Sequence, residues 1–337
     1  MGLVRRLALF TLILLSIFCF FALWQYYDYK KRPLVIKEDV TFKIVPGAHV
    51  RKVLQALSQS PDIKPFSRLW FEVFVRLEGK STKIQAGEYK LEKNITGAEL
   101  IDKTIKGEVL QHALTLVDGW TFKEILNAIQ SHPAIQVTLH EKTEEAYIQA
   151  LNLPYKNLEG LFFPETYFFP SETTDKAFLL RAYHMMQHQL EIAWQARASD
   201  IPIQTPYEAL IVASILEKES GLPSEWPIIS QVFYNRMNQK MRLQTDPTVL
   251  YGLRGEFTGP LKKEDLKKPT PYNTYLIAGL PPTPISNPSF GAILAACHPM
   301  SGDYLYFVAK GDGSHEFSKT LEEHQKWVDW YLKGTRN

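Results

Sequence analysis

A pair of glutamates, Glu217 and Glu219, ends an apolar segment that has the features of a helix. Thr205 is a suitable N-cap, Pro206 suits the first helical position, and Glu208 completes a capping box. The residues that follow are apolar up to Glu217, apart from one serine. A carboxyl group in such a setting is a candidate for general acid and base catalysis.

Helical spacing places the two carboxyl groups on different faces. Glu219 follows Val212 by seven residues, Ile215 by four and Leu216 by three, so it shares the face of the bulky apolar side chains. Glu217 projects to nearly the opposite side. Burial disfavours the charged form, and the negative end of the helix dipole acts in the same direction, so we expect a raised pKa for Glu219. A protonated Glu219 could donate its proton to a leaving oxygen near neutral pH.

A structural role for Glu219 stays open when the helix is considered by itself. The carboxylate could cap the end of its helix, or it could pair with a nearby cation such as Arg236. For Arg236 we favour a structural role, in which it anchors its own helix.

Other chemistries have weak support. His184 and His188 are four residues apart on a predicted helix, but no third metal ligand is evident, and the pair is expected to face solvent. His315-Glu316 lacks the rest of an HExxH motif, and the chain contains no GxSxG motif of serine hydrolases. The sequence therefore predicts no metal and no cofactor.

The sequence divides into two units that would position these residues. The helix and strand patterns of the two units predict an α+β fold. The pattern of the first unit, up to about residue 110, predicts the order β-α-α-β-α, with segments at 40–45, 49–57, 68–77, 86–91 and 96–107. The second unit, from residue 111, is predicted to have a strand at 112–117, a helix at 121–130, a loop at 159–167 and a long helix at 174–197. A short polar linker is predicted at 28–38.

The N-terminus contains a candidate membrane segment. Residues 7–24 carry no charge, which is about the shortest stretch that spans a bilayer. No small-x-small cleavage site follows, so a retained anchor is favoured over a cleaved signal peptide. The positive-inside rule does not decide the orientation, because basic residues stand on both sides: Arg5, Arg6, Lys30, Lys31 and Arg32.

Charge and cysteine content exclude little. The 38 basic and 36 acidic residues give a net charge of +2, which argues against a dedicated nucleic-acid binder. Cys19 lies in the apolar N-terminal run, so it is not expected to pair with Cys297.

Several blocks of the sequence resemble the MltG/YceG family of endolytic murein transglycosylases, and they occur in the family's order. They are residues 159–166, 213–220, 232–236, 241–248, 271–275, 279–282 and 305–308. In that family the catalytic residue is the second glutamate of a Glu-x-Glu pair followed by Ser or Thr, and this position is Glu219. The Glu-Ser pair is also similar to that of goose-type lysozymes and soluble lytic transglycosylases.

The resemblance implies a domain order and a location. Residues 1–33 would form a cytoplasmic tip, a single transmembrane anchor and a linker. Residues 34–110 would form a LysM-like domain, and residues 111–337 a YceG-like catalytic domain. The bulk of the chain would lie outside the cytoplasmic (inner) membrane and cut nascent glycan strands of peptidoglycan, with peptidoglycan synthases as candidate partners.

Hydrogen-bonding side chains in two loops are candidates for holding the sugar amides: Gln244, Thr245, Asp246, Tyr272, Asn273 and Thr274. Asp246 could instead be a turn residue before Pro247, and Tyr272 and Asn273 could be loop scaffolding. Two other functions stay open. One is a muramidase that uses Asp246 as a second carboxylate with Glu219, and the other is a membrane-tethered glycan-binding scaffold without catalysis.

Overall fold

The computed structural model describes residues 2–34, 38–141, 143–253 and 259–333, with side chains described as far as residue 331. The chain divides into two compact units. The first comprises Met1–His112 with Phe168–Glu172, and the second comprises Ala113–Tyr167 with Thr173–Asn337. Helices and strands occur in both, so the mixed helix and strand content that the sequence predicts is confirmed.

The chain begins with a long apolar helix, α1 (Gly2–Lys31). Among the described helices it is the one that is long and apolar enough to cross a membrane, and its apolar residues are exposed. The helix continues through residues 28–31, so the predicted linker at 28–38 is wrong over its first four residues. Residues 35–37 of that linker lie outside the described residues.

After α1, the elements of the first unit occur in the predicted order β-α-α-β-α. Its elements are β1 (Val40–Ile44), α2 (Val50–Gln59), α3 (Arg68–Leu77), β2 (Gly87–Leu91) and α4 (Gly97–Lys106). Strands β1 and β2 are antiparallel, with Val40 opposite Leu91. Thr96 and Glu99 form the capping box of α4, and Gly107 ends the helix with a φ of 67°, which glycine adopts without strain.

The second unit is mainly helical. Residues of both units form β3 (Gln111–Thr115) and β5 (Thr166–Pro170). The strands that lie wholly in the second unit are β4 (Ile135–Gln136), β6 (Thr173–Thr174), β7 (Tyr306–Ala309) and β8 (His315–Ser318). Its helices are α5 (Phe122–Ser131), α6 (Glu144–Leu151), α7 (Asp175–Gln195), α8 (Pro206–Glu219), α9 (Trp226–Asn238), α10 (Asp246–Gly252), α11 (Phe290–Cys297) and α12 (Leu321–Val328). Strand β3 pairs with β5, and β7 is antiparallel to β8.

One predicted loop proves too long. The segment 159–167 was expected to be irregular throughout, but Thr166 and Tyr167 begin strand β5. Tyr167 and Phe169 are buried while Phe168 is exposed, which is the alternation of a strand. The prolines and consecutive aromatics of this segment obscure that alternation in the sequence.

Helix α8 lies at the centre of the second unit. Every residue from 209 to 216 is buried, and α7, α9, α10 and α11 all pack against the helix. A helix that is covered on all sides needs apolar residues all round, which its sequence supplies. The position of α8 is therefore fixed by contacts with four helices, and so are the positions of Glu217 and Glu219 at its end.

Candidate active site

Helix α8 begins and ends where the sequence predicts. The Thr205 hydroxyl accepts a hydrogen bond from the Glu208 amide at 3.2 Å, and the Glu208 carboxylate accepts one from the Thr205 amide at 3.2 Å. Pro206 occupies the first turn, and Glu219 is the last helical residue, with Ser220 as the C-cap. The caps thus define the two ends of α8 and place Glu219 at its C-terminal end.

The Glu219 carboxyl group lies partly buried and accepts a hydrogen bond from the Thr245 hydroxyl. Burial raises its pKa to about 7. The bond from Thr245 and the positive charges of His315 and Arg236 act against this rise, whereas the negative charge of Asp246 adds to it. The raised pKa that the helical spacing predicts is therefore present, and at neutral pH Glu219 can both donate and accept a proton.

Glu217 binds a different part of the chain. Its carboxylate accepts hydrogen bonds from the amide of Ser289 at 3.0 Å and from the hydroxyl of Ser289 at 2.6 Å. Ser289 is the N-cap of α11. The different partners of the two glutamates agree with the predicted separation of their faces, and Glu217 holds the neighbouring helix in place.

The loop that carries Thr245 is held by Thr274. The Thr274 hydroxyl accepts a hydrogen bond from the Thr245 amide at 3.0 Å and lies 2.8 Å from the Thr248 hydroxyl. Thr245 and Thr274 are both buried. Gln244 is exposed, has a φ of 52° and donates its amide to the Thr274 carbonyl at 3.2 Å. Thr274 thereby sets the direction from which Thr245 reaches Glu219.

Asn273 is fully buried, and its side chain is occupied by its own loop. Its amide donates to the carbonyls of Leu266 and Lys268 at 3.0 and 2.8 Å, and its carbonyl oxygen accepts from the Tyr275 amide at 3.0 Å. These bonds agree with the scaffolding alternative for Asn273.

Tyr272 is only partly buried. Its hydroxyl lies 2.9 Å from that of Thr283, and its ring packs edge to face on Tyr251 at 4.7 Å. The Tyr251 hydroxyl donates to the buried Glu159 carboxylate at 3.0 Å. Tyr272 is therefore held in place by Thr283 and Tyr251, and part of the residue stays accessible to solvent.

Asp246 is exposed and begins α10, so it is a helical residue and not a turn residue. It accepts a hydrogen bond of 2.6 Å from the Tyr275 hydroxyl. Burial, and then the hydrogen bond to Asp246 and the charge of Asp246, raise the pKa of Tyr275, so this phenol stays protonated and acts as a donor. The sequence does not distinguish Tyr275 from its neighbours, although it lies in the 271–275 block.

Arg236 has the structural role that the sequence favours. Its guanidinium donates to the carbonyls of Leu305 and Leu243 at 2.6 and 2.8 Å, and it lies 5.2 Å from the centre of the Tyr306 ring. These contacts tie α9 to β7 and to the loop before Thr245. Arg236 acts on Glu219 only as a nearby positive charge.

A second polar cluster, which sequence analysis missed, holds the residue after Glu219. The Glu225 carboxylate accepts hydrogen bonds from the Ser220 hydroxyl at 3.0 Å and from the His315 amide at 2.8 Å, and it lies 2.7 Å from Nδ1 of His315. The Trp226 indole donates to the Ser220 carbonyl at 2.9 Å. We call Ser220, Glu225 and His315 the Glu225 cluster. Ninety residues separate Glu225 from His315, so no local pattern could reveal it.

The predicted histidine pair faces solvent. His184 and His188 are both exposed on α7. Within the part of the chain that the structure describes, no three His, Cys, Asp or Glu side chains are arranged to hold a metal ion.

Thr245→Val is expected to change the pH dependence of activity. The hydroxyl of Thr245 favours the ionised form of Glu219, so its loss should raise the pKa of Glu219 above about 7. The sequence predicts that Glu219 is an acid catalyst, which must be protonated to act, so the decline of activity at high pH should move to higher pH. At pH 7 the rate should fall about tenfold, the effect of one hydrogen bond to a charged group.

The measurement is the rate of glycan cleavage between pH 5 and 9 for Thr245→Val, with Thr245→Ser as the matched control that keeps the hydroxyl. An unchanged pH profile in the valine variant would show that this bond does not tune Glu219.

Comparison with known proteins identifies the family. The sequence model of the YceG-like family matches residues 42–329, which is most of the chain and includes α8 and both loops of the site. This chain belongs to the YceG-like family. The predicted membership of the MltG/YceG family is thereby confirmed.

Relatives of this YceG-like chain carry a functional name. It is 31% identical over 313 residues to the endolytic murein transglycosylase of Bacillus subtilis (strain 168), covering 88% of this chain and 86% of the relative. It is 27% identical over 336 residues to the endolytic murein transglycosylase of Streptococcus pneumoniae (strain ATCC BAA-255 / R6). That alignment covers 89% of this chain and 60% of the streptococcal protein.

A solved structure is also similar. The crystal structure of a yceG-like protein from Listeria monocytogenes matches with a TM-score of 0.54 and 28% identity, covering 86% of this chain and 99% of that one. The YceG-like chain therefore shares its architecture, as well as its sequence blocks, with a structurally characterised relative.

Proposed function

We propose that this chain is an endolytic transglycosylase of peptidoglycan and that Glu219 is its catalytic acid and base. The observation that carries the proposal is a partly buried carboxyl group with a pKa of about 7 at the end of the central helix of a YceG-like chain. The names of the relatives from B. subtilis and S. pneumoniae support the same reaction.

The first step is protonation of the leaving group. Glu219 donates its proton to the glycosidic oxygen between MurNAc and GlcNAc, and that bond breaks to leave an oxocarbenium-like centre at C1 of MurNAc. Proton donation leaves Glu219 ionised, and the Thr245 hydroxyl stabilises the charge as it forms. Thr245 is therefore proposed to support catalysis through Glu219.

The second step uses the same carboxylate in reverse. Ionised Glu219 takes the proton of the MurNAc C6 hydroxyl, and the oxygen closes on C1 to form a 1,6-anhydro ring. Because this nucleophile belongs to the substrate, its effective concentration is high and no water must be positioned. One carboxyl group can therefore serve as acid and then as base, whereas hydrolytic glycosidases use two carboxyl groups.

The predicted sugar-binding residues are proposed to have two kinds of role. Gln244 and Asp246 are exposed on either side of Thr245, and Tyr272 is partly accessible, so these three are proposed to contact the glycan strand. Asn273 and Thr274 are buried and already bonded, and we propose that they hold the loops in position.

The N-terminal part is proposed to place the enzyme at the membrane. Helix α1 would be a single-pass anchor in the cytoplasmic membrane, with the N-terminus cytoplasmic and the chain after α1 outside. Residues 34–110 are proposed as a LysM-like glycan-binding domain, supported by the order β1-α2-α3-β2 with antiparallel strands, and residues 111–337 as the catalytic domain. A peptidoglycan synthase as a partner stays a prediction of the family resemblance.

The proposed reaction has a diagnostic product. The full-length chain, purified in detergent, is incubated with peptidoglycan, and the new glycan ends are identified by mass spectrometry. We expect internal cuts with 1,6-anhydro-MurNAc ends, and none with Glu219→Gln.

The same digest separates the alternatives. Reducing MurNAc ends would instead support a muramidase. Asp246 is the candidate second carboxylate for that reaction, because its charge acts on the pKa of Glu219. Binding of peptidoglycan without new ends would support the non-catalytic scaffold.

A further inference from the structure

Helix α3 of the first unit runs alongside α1 in the same direction. The Trp70 ring lies 6.0 Å from that of Phe18 and 5.8 Å from that of Phe21. One turn later, Phe74 packs edge to face on Tyr26 at 5.1 Å. The beginning of α3 is therefore level with the last turns of the uncharged stretch of α1.

The contacts of Trp70 give its depth along α1. The uncharged stretch ends at Trp24, and Phe21 and Phe18 precede that residue by three and six positions. With a rise of about 1.5 Å per residue, Trp70 lies about 5–9 Å before the end of the stretch. Peripheral segments that insert their apolar side chains at the boundary of headgroups and acyl chains reach about 5–10 Å. The two depths agree.

The side chains at this end of α3 suit a lipid interface. Leu69 is 70% exposed although it is a large aliphatic residue, and it stands beside Trp70. Arg68 is exposed at the first position of the helix, where its long side chain can reach lipid phosphates while its stem stays among apolar groups. Tryptophan is enriched at membrane–water boundaries, and long arginine side chains near the end of a helix extend to the interface.

The other end of α3 is charged. Glu78, just after the helix, pairs with Lys30 of α1 at 2.6 Å and with Lys80 at 2.8 Å. Lys30 follows Trp24 by six residues, about 9 Å further along α1. The contacts between α1 and α3 thus change from aromatic at Trp70 and Phe74 to charged at Glu78, in the direction in which α1 would leave the bilayer.

We propose that the first turn of α3, with Leu69 and Trp70, inserts into the lipid leaflet from which α1 emerges. The first unit would then contact the membrane at two places, α1 and the α3 tip, and would be held at a fixed height above the lipid. The inference rests on the proposed anchoring of α1 in a membrane. It adds a lipid-binding surface to a unit proposed to bind glycan.

Depth-dependent fluorescence quenching tests the insertion. In the full-length chain with Cys19→Ser, a single cysteine is introduced as Leu69→Cys and labelled with a polarity-sensitive dye, while the buried Cys297 is left in place. The protein is reconstituted into vesicles of phosphatidylcholine and phosphatidylglycerol, with and without lipid that carries a spin label near the top of the acyl chain or, for positions near the bilayer centre, near its end. The label at position 69 should be quenched, and its emission should be shifted to the blue.

Two matched positions make the result decisive. Leu14→Cys, within α1, reports on the anchor. Lys93→Cys places a label on an exposed residue beyond the end of α1. Its neighbour Ile95 accepts a hydrogen bond from the amide of Leu34, which follows α1 in the chain. The label at position 93 should therefore not be quenched. Quenching at 69 and 14 but not at 93 is the expected result. Quenching at 14 alone would overturn the insertion and leave the anchor intact, whereas no quenching at 14 or 69 would overturn both.

Discussion

Glu219→Gln should lower the rate of glycan cleavage by about a thousandfold, the typical contribution of a positioned general acid and base. Glutamine keeps the size of the side chain and can still accept the hydrogen bond from Thr245. It cannot donate a proton to the glycosidic oxygen or take one from the C6 hydroxyl. The measurement is the rate of release of glycan fragments from purified peptidoglycan by the full-length chain at pH 6–7.

Glu217→Gln is the matched control. It changes the same residue type on the same helix, two positions away, and the glutamine carbonyl can still accept a hydrogen bond from Ser289. This variant should retain most of the activity. If Glu217→Gln were inactive and Glu219→Gln active, the assignment of the catalytic residue would be refuted.

Glu219→Gln should also gain stability at high pH. The pKa of Glu219 is raised in the folded chain from 4.5 to about 7, so its contribution to stability is fully present below pH 4.5 and is lost as the pH rises through 7. Glutamine does not ionise and avoids this loss, which amounts to about 3 kcal/mol once the carboxyl group is fully charged.

Thermal or denaturant unfolding at pH 5 and pH 8 provides the measurement. Glu219→Gln should resemble the parent protein at pH 5 and exceed it at pH 8. A variant that is less stable at both pH values would mean that the carboxylate mainly supports the structure.

Glu225→Ala should lower the free energy of unfolding by about 3 kcal/mol, because it removes a buried charged acceptor and leaves its donors unpaired. Those donors are the Ser220 hydroxyl and the His315 amide, at 3.0 and 2.8 Å. Since Ser220 directly follows Glu219, the end of α8 should also become looser. Cleavage should therefore slow even under conditions in which the variant is fully folded.

Two further variants separate these effects. Glu225→Gln keeps an acceptor for Ser220 and should recover part of both stability and activity. Glu322→Ala removes an exposed glutamate that pairs with Lys326 on the surface, and it should change the stability by less than about 0.5 kcal/mol. Unfolding midpoints and initial cleavage rates are the two measurements. A Glu225→Ala variant that is as stable as Glu322→Ala would show that the Glu225 cluster does not contribute to the stability of the fold.

Much of the fold follows from local signals in the sequence. The capping boxes at Thr96, Thr121 and Thr205 all form, and each helix begins at the next residue. These signals act within four residues, so they hold wherever the helix is placed in the fold. Strand β5 was partly missed because its pairing partner β3 lies about fifty residues earlier, and its aromatic residues do not alternate with polar ones.

For the proposed site, helical phase was enough to place Glu219 and Glu217 on different faces, because both lie on one regular element whose geometry is known in advance. The surroundings of Glu219 could be predicted only as a set of loop residues. The sequence does not distinguish Thr245, which bonds the carboxyl group, from Asn273, which bonds its own loop.

The sequence by itself determined the central helix, the family and the proposed acid at the end of that helix, since each depends on short-range spacing or on blocks of adjacent residues. The tertiary structure alone decided the bond from Thr245, which lies 26 residues after Glu219, and the Glu225 cluster, whose members lie up to 95 positions apart. It also decided the pKa of about 7, because desolvation depends on how many atoms of distant segments surround a carboxyl group.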